Sequence, residues 1–321
     1  MRVVVALGGH ALLQRGQEPT IEAQRANLAT ACASLAPVAS EHELVVTHGN
    51  GPQVGLLALQ NVGRDDVPPS PLDVLDAETQ GMIGYLIEQV LRRCRGVDSA
   101  VAALLTLVEV DPGDPAFADP TKPIGPAVDA ETASRLAREL GWTFEPDAGA
   151  YRRVVASPEP KQILGLRQIA WLLERGCVVI CAGGGGIPVA AGPDGELEGV
   201  EAVIDKDCTS ALLARQLGAQ FLAITTDADA VYLDWGRPTA RAIRRVRPDV
   251  LMELVDNFDA GEMRPKVTAA AGFVNATGGV AAIGSLSDIT RMLEQQVGTV
   301  VTLDAEDIEL HSRHVGATSE P

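Results

Sequence analysis

Lysine is scarce in this 321-residue chain: four of 26 basic side chains, the other 22 being arginine. Arginine has therefore taken over ordinary surface duty, and each surviving lysine needs a reason. The four are Lys122 in TKPIGP, Lys161 in SPEPK, Lys206 in VIDKD and Lys266 in MRPKV. An ammonium is a compact charge on a flexible stem and can follow a moving phosphoryl group, whereas the guanidinium fork suits fixed bidentate partners. Lys161 has the simplest alternative, that of opening a helix. Aromatic residues are also few, at 3%, which leaves little scope for base-stacking platforms. A net charge of −17 excludes the broad basic footprint of a nucleic-acid binder. An anionic substrate must then be met by positive charge concentrated locally, again at the lysines.

The five cysteines (Cys32, Cys94, Cys177, Cys181, Cys208) form no CxxC pair and no Cys/His ligand cluster. Such a set fits a reducing, cytoplasmic setting; Cys208, next to VIDKD, is a candidate reactive thiol. The apolar run in MRVVVALGG is too short for a signal peptide, and no stretch reaches membrane-span length, so no membrane partner is expected. GxxxxGK[ST] is missing, and GNGPQVG misplaces the third glycine of the dinucleotide fingerprint.

What is present is a repeating unit of apolar strand, glycines and helix. Arg2–Leu7 reads as a buried strand, Thr20 as the N-cap of a helix to about Ala39, and Glu43–Thr47 as a second strand. A helix fits Leu72–Arg93 and a third strand Ala100–Val110. Continuous apolar strands alternating with helices predict a parallel sheet covered on both faces. Eight prolines punctuate residues 111–160, which read as a small protruding subdomain with one helix near Ala130–Leu140. The alternation then resumes with a helix over Lys161–Arg175, a strand over Cys177–Ala182 and a hairpin tip at Pro193-Asp194-Gly195. Further strands fit Phe221–Thr225, Val231–Leu233, Val280–Ile283 and Thr299–Leu303; helices fit Thr209–Leu217, Pro265–Asn275 and Ser287–Gln296. The expectation is a single domain over 1–310, with an N-lobe over roughly 1–200, a C-lobe over roughly 201–310 and a polar tail at 311–321. Gly8-Gly9, Gly49-Asn50-Gly51, Gly183–Gly186 and Gly284 all follow strands. At the carboxyl edge of a parallel sheet, bared backbone amides and helix N-termini make an anion cradle.

The ordered series ALGGHAL, THGNGPQVG, PLDVLDAETQGMIGY, DPTKPIGP, RRVVASPEPK, GGGGIPV, GVEAVIDKD and TTDADAVYLDWG resembles the carbamate kinases of the amino acid kinase superfamily, from about Arg2 to Leu303. The resemblance implies an α/β class fold, a three-layer α/β/α sandwich with an open, mainly parallel sheet. It implies a homodimer and reversible phosphoryl transfer between ATP and carbamate, giving ADP and carbamoyl phosphate, used to make ATP in arginine or purine breakdown. Mg²⁺ is implied with the nucleotide, its other ligands mostly water and phosphate. Sister kinases place a lysine just before the first Gly-Gly; here Ala6-Leu7 fills that space and Lys206 offers a substitute charge. Residue by residue, Gly8, Gly9, His10, Gly49, Asn50, Gly51, Gly184 and Gly185 match the carbamate and phosphoryl site. Lys122 matches the subdomain lysine. Lys206 and Lys266 match the lysines that neutralise the phosphates, and Asp207 the carboxylate that orients them, with a plain helix cap as its alternative. Asp227, Ala230, Tyr232, Met263, Pro265 and Lys266 lie in stretches resembling the nucleotide pocket. Positioning and charge neutralisation supply most of the rate in such chemistry, and carbamate needs no general base.

Two motifs depart from the family pattern. His10 replaces the asparagine of GGNAL, and Glu262 and Arg264 replace small residues of GSMGPK. Both touch the reaction centre, which leaves open a kinase with another small-acid acceptor or a silent nucleotide-binding homologue. Arg264 could contact phosphate or pair with Glu262. No protein metal site is expected, since His10 and His48 lack a third ligand at suitable spacing; for His48, packing beside the glycine turn is the alternative.

Overall fold

Arg2–Leu7 forms the strand around which the fold is arranged in a computed structural model of the chain. Residues 1–312 are described, apart from 15, 19, 63–67, 97–98, 193 and 260. Alternate side chains of this strand enter two separate cores. Val3, Val5 and Leu7 pack with Leu28, Leu35, Ile83 and Ile87 on one face, whereas Val4 and Ala6 pack with Leu213, Val267 and Phe273 on the other. A strand apolar at every position is what burial on both faces requires, and three layers follow.

This strand and five neighbours run parallel, in the order Val280–Ser285, Phe221–Thr226, Arg2–Leu7, Glu43–His48, Val178–Ile180, Val101–Ala103. Thr299–Val301, Arg241–Val246, Val231–Leu233 and Ile308–Leu310 extend one edge with mixed pairing and complete a ten-stranded sheet. Helices Ile21–Glu41 and Leu72–Arg95 cover one face; Leu166–Glu174, Lys206–Gln216 and Met263–Thr277 cover the other. Thr20 caps the first helix by accepting from the Ala23 amide at 3.1 Å. No helix among the described residues is long and apolar enough to cross a membrane.

Residues 100–110 are not one strand, as read above, but two. Val101–Ala103 belongs to the main sheet and Leu107–Val110 to a separate four-stranded sheet. The turn between them is made by buried Gln80, whose Oε1 accepts from the Thr106 amide at 2.7 Å. Nor is 161–175 a single helix. Pro160–Ile163 pairs antiparallel with Leu107–Val110, and Gly165 in the left-handed region (φ 84°) starts the helix Leu166–Glu174. Lys161 lies on that strand, exposed and paired with Glu159 at 3.1 Å. The hairpin joins Ile187–Ala191 to Leu197–Gly199; of its expected tip, Pro193 lies outside the described residues, as does most of the expected tail.

Residues 122–155 hold a three-stranded antiparallel sheet (Lys122–Val128, Ala150–Val155, Thr143–Asp147) and the helix Ala130–Leu140. The prolines had hidden these strands. Gly125 (φ 69°) lies so close to helix Gly51–Asn61 that a side chain at Gly55 would overlap its backbone. Arg153 stacks 3.6 Å from the Trp142 ring and meets Glu201 Oε1 at 3.1 Å. Glu201 Oε2 in turn accepts from the Leu72 amide at 2.8 Å. One carboxylate thus ties this small sheet to the start of a core helix.

Candidate active site

The carboxyl ends of Arg2–Leu7, Glu43–His48 and Phe221–Thr226 lie side by side, which brings Gly8, Gly49 and Asp227 to one rim. Gly8 is held there by Thr225, whose Oγ1 accepts the Gly8 amide at 3.0 Å and donates to the Ala6 carbonyl at 3.1 Å. A Cβ at Gly8 would come within 2.5 Å of the Thr225 carbonyl oxygen, so only glycine allows this approach. Gly9 and His10 continue into a short 3₁₀ turn.

The third glycine loop, Gly183–Gly186, packs beneath this rim. Gly184, Gly185 and Gly186 take φ of 70°, 94° and 93°. A side chain at Gly183 would overlap His48, one at Gly184 the Asn50 amide, and one at Gly185 the Ile204 carbonyl. His48 is therefore a packing residue. Its Nδ1 donates to the Gly49 carbonyl at 3.0 Å, and burial pushes its pKa down to about 4, which keeps the ring neutral. Gly51 abuts the carbonyl of Pro123 in the small sheet, and Gly49 the stem of Lys206.

Lys206 and Lys266, 60 positions apart in the sequence, converge on one carboxylate. Lys206 Nζ stands 3.0 Å from Asp207 Oδ1, and Lys266 Nζ donates to Asp207 Oδ2 at 3.1 Å. Lys206 Nζ also donates to the Leu7 carbonyl at 3.1 Å, directly before Gly8. Asp207 is 2% exposed and Lys266 7%. Burial alone would lower both ammoniums. It prevails for Lys206, helped by the facing Lys266 charge; for Lys266 it is outweighed by Asp207 and then Glu262, which raise its pKa. Lys266 is thus the firm cation, and Lys206 the one that gains most from an arriving anion.

The plain helix cap is Asp205, not Asp207. Asp205 Oδ1 accepts from the amides of Asp207 and Cys208, at 2.9 and 3.2 Å. Its other oxygen meets Lys122 Nζ at 2.8 Å. This pair links the small sheet to the helix that carries Lys206. Burial opposes the Asp205 charge, yet Lys122 and the Cys208 amide hold its carboxyl well below the usual range. A depressed carboxylate pKa contributes stability above its unfolded value, near 3.8, that is lost as pH falls through the folded one. The urea midpoints of wild type and Lys122→Met should therefore differ by a constant amount from pH 7 to about 5 and converge below about pH 4. A gap unchanged at pH 3 would contradict the pairing. Burial, reinforced by Asp205 and Asp207, pushes the pKa of the half-buried Cys208 thiol far up, which opposes the reactive role its sequence position suggested.

A cavity of about 430 Å³ opens beside this cluster. Asp227, Ala230, Tyr232 and Met263 line it; Pro265 and Lys266 do not, because they lie further along helix Met263–Thr277 and Lys266 turns inward to Asp207. Trp235, Asn257 and Phe258 also line it and were missed. Trp235 lies within the motif TTDADAVYLDWG and packs edge-on against Tyr232 at 5.0 Å between centroids. Arg264 turns to Asp256 at 3.5 Å. His10 Nε2 lies 3.2 Å from Asp227 Oδ2, and ligand atoms of His10, Asp227 and Glu262 all come within 4.8 Å of one another. Two carboxylates from the far half of the chain, which spacing could not supply, thus gather beside His10 rather than His48.

Comparison with known proteins agrees with this fold. The profile of the amino acid kinase family matches residues 1–284. A carbamate kinase of Rhizobium meliloti is 53% identical over 97% of this chain and 96% of its own length. One from Haemophilus influenzae is 52% identical over 97% and 100%. Among solved structures, carbamate kinase from Giardia lamblia bound to AMP-PNP superposes with a TM-score of 0.86 at 35% identity, covering 94% of this chain and 98% of that one.

Proposed function

Since the chain belongs to the amino acid kinase family, we propose that the lysine cluster carries out the reaction of its carbamate kinase relatives. That reaction is reversible phosphoryl transfer between ATP and carbamate, giving ADP and carbamoyl phosphate. The observation that carries this reading is the Lys206–Asp207–Lys266 bridge at the glycine rim. In the forward direction a carbamate oxygen attacks the γ-phosphorus and the bond to the ADP oxygen breaks. Charge spreads over the transferring oxygens, and Lys206 and Lys266 neutralise it, while the amides of the glycine rim orient the group. Asp207 keeps the two ammoniums apart yet within reach of one anion. The cavity lined by Asp227, Ala230 and Tyr232 takes the nucleotide.

Mg²⁺ belongs to the same reading. Asp227 and Glu262 are hard oxygen donors at the mouth of the nucleotide cavity, and they fit an ion that keeps several waters. When bound it neutralises the nucleotide phosphates. His10 adds an imidazole where the family motif GGNAL reads asparagine, and its ring pairs with Asp227. A homodimer and a cytoplasmic setting come with the family reading. The test is ATP formation by the pure protein from ADP, carbamoyl phosphate and MgCl₂. ATP is expected to accumulate and to stop on adding EDTA; folded protein that makes no ATP would end this reading.

A further inference from the structure

Asn50 presents its amide in one orientation, and two buried residues of helix Leu72–Arg95 set it. Asn50 Nδ2 donates to Asp76 Oδ1 at 2.7 Å and to Thr79 Oγ1 at 2.9 Å. Thr79 Oγ1 lies 3.0 Å from the carbonyl oxygens of both Leu75 and Asp76. Its single proton goes to one of them, so towards Asn50 it can only accept. Asp76 is fully buried, and its Oδ2 has no partner among the described residues. Burial holds this carboxyl well above the usual range. A proton on Oδ2 still leaves Oδ1 as the acceptor for Asn50.

Both amide hydrogens of Asn50 are therefore consumed inside the protein, and its carbonyl oxygen is left to accept. Among the described residues no donor reaches that oxygen. Gly184 packs directly on this amide: a Cβ there would stand 2.4 Å from Asn50 Nδ2, 2.5 Å from Cγ and 2.8 Å from Oδ1, so only glycine leaves the amide in place. Gly184 thus lets the loop close on the amide, which keeps its carbonyl oxygen in one place as a hydrogen-bond acceptor. The amide adjoins the rim, because Gly49 next to Asn50 lies against the Lys206 stem.

The geometry points to Asp76 and Thr79 as positioning residues that make Asn50 a reader of the acceptor's amino group. This deepens the reading above and rests on it. Carbamate and carbamoyl phosphate carry an NH₂ that can donate to the Asn50 carbonyl. Acetate and acetyl phosphate have a methyl group of similar size, which would leave that oxygen unpaired. A site built to hydrogen-bond a substrate N–H rejects an analogue without it far more strongly than an apolar pocket separates isosteres. The amide orientation thus decides which of two nearly isosteric substrates is accepted.

The test measures ATP formation from ADP with carbamoyl phosphate and with acetyl phosphate, in wild type, Asp76→Asn, Thr79→Val and Thr79→Ser. Wild type should favour carbamoyl phosphate in kcat/KM by about tenfold or more. Asp76→Asn can offer its own NH₂ to Asn50 and let the amide turn. The preference should then fall about tenfold, through a higher KM for carbamoyl phosphate with kcat changed less and acetyl phosphate unharmed. Thr79→Val should shift the ratio the same way, and Thr79→Ser should restore it. Equal losses on both substrates, or a ratio within about twofold of wild type in both Asp76→Asn and Thr79→Val, would overturn the assignment. Should Asp76→Asn fail to fold by circular dichroism, the Thr79 pair decides. Calorimetry with phosphonoacetamide and acetonylphosphonate, an amide and a methyl ketone of like shape, separates this inference from the reaction itself. If wild type makes no ATP but binds the amide more tightly, the role of Asn50 is right and the reaction wrong; equal binding overturns that role.

Discussion

Lys206→Ala should lower kcat for ATP formation by about 10²–10³-fold, the scale of one lost transition-state donor. KM for ADP should change much less, because the nucleotide cavity is lined by other residues. The reasoning follows from Lys206's surroundings. Its ammonium is buried, faces a second ammonium and has its pKa lowered, so its charge is best satisfied when an anion arrives. Stabilisation that strengthens as charge develops appears in kcat. Lys161→Ala is the matched control, since that lysine is exposed and pairs only with Glu159. Steady-state kinetics of both variants decide the matter: a drop of less than about threefold for Lys206→Ala would remove it from the centre of the reaction.

Asp207→Ala should be the most damaging change to the fold. The carboxylate is 2% exposed and touches both lysines. Its loss leaves two buried like charges facing each other, and breaking such a buried pair costs about 3–5 kcal/mol. The urea midpoint should fall accordingly. The deficit should also shrink as pH rises. In the variant, Lys206 would titrate well below the 10.5 of a free lysine, so between those values the unfolded chain binds more protons and stability climbs with pH. Unfolding curves at pH 7 and pH 9.5 test the sign. A deficit that stays constant or grows with pH would mean that charge repulsion is not the cause.

Local chemistry written in the chain was legible where one short stretch specifies its own structure. Arg2–Leu7, apolar at nearly every position, had no stable option but a strand buried on both faces. Thr20 and Asp129 each begin a helix with a side-chain oxygen suited to cap it. Gly184–Gly186 needed residues free to take positive φ. Reading went wrong where a distant residue interrupts a local pattern. The apolar run from 100 to 110 looks continuous, and only Gln80, one helix away, turns it out of the main sheet at Thr106. VIDKD holds two aspartates that could each cap a helix; which one does is settled by Lys122 reaching Asp205 and Lys266 reaching Asp207. Arg241–Val246 went unread because its arginines and half-buried positions blur the alternation of a strand near the sheet edge.

The sequence by itself determined the layered α/β fold and the glycine turns at strand ends, and it singled out the lysines for the chemistry proposed above. Each of these rests on backbone propensity, burial of an apolar face or the scarcity of one residue type, all properties of a short stretch of chain. Only the tertiary structure decided that Lys206 and Lys266 share Asp207, that His10 meets Asp227 and Glu262, and that Asp76 and Thr79 turn Asn50. Those outcomes depend on the register of parallel strands and the packing of helices across them. Such packing sets distances between groups tens or hundreds of residues apart, and no local pattern encodes that distance.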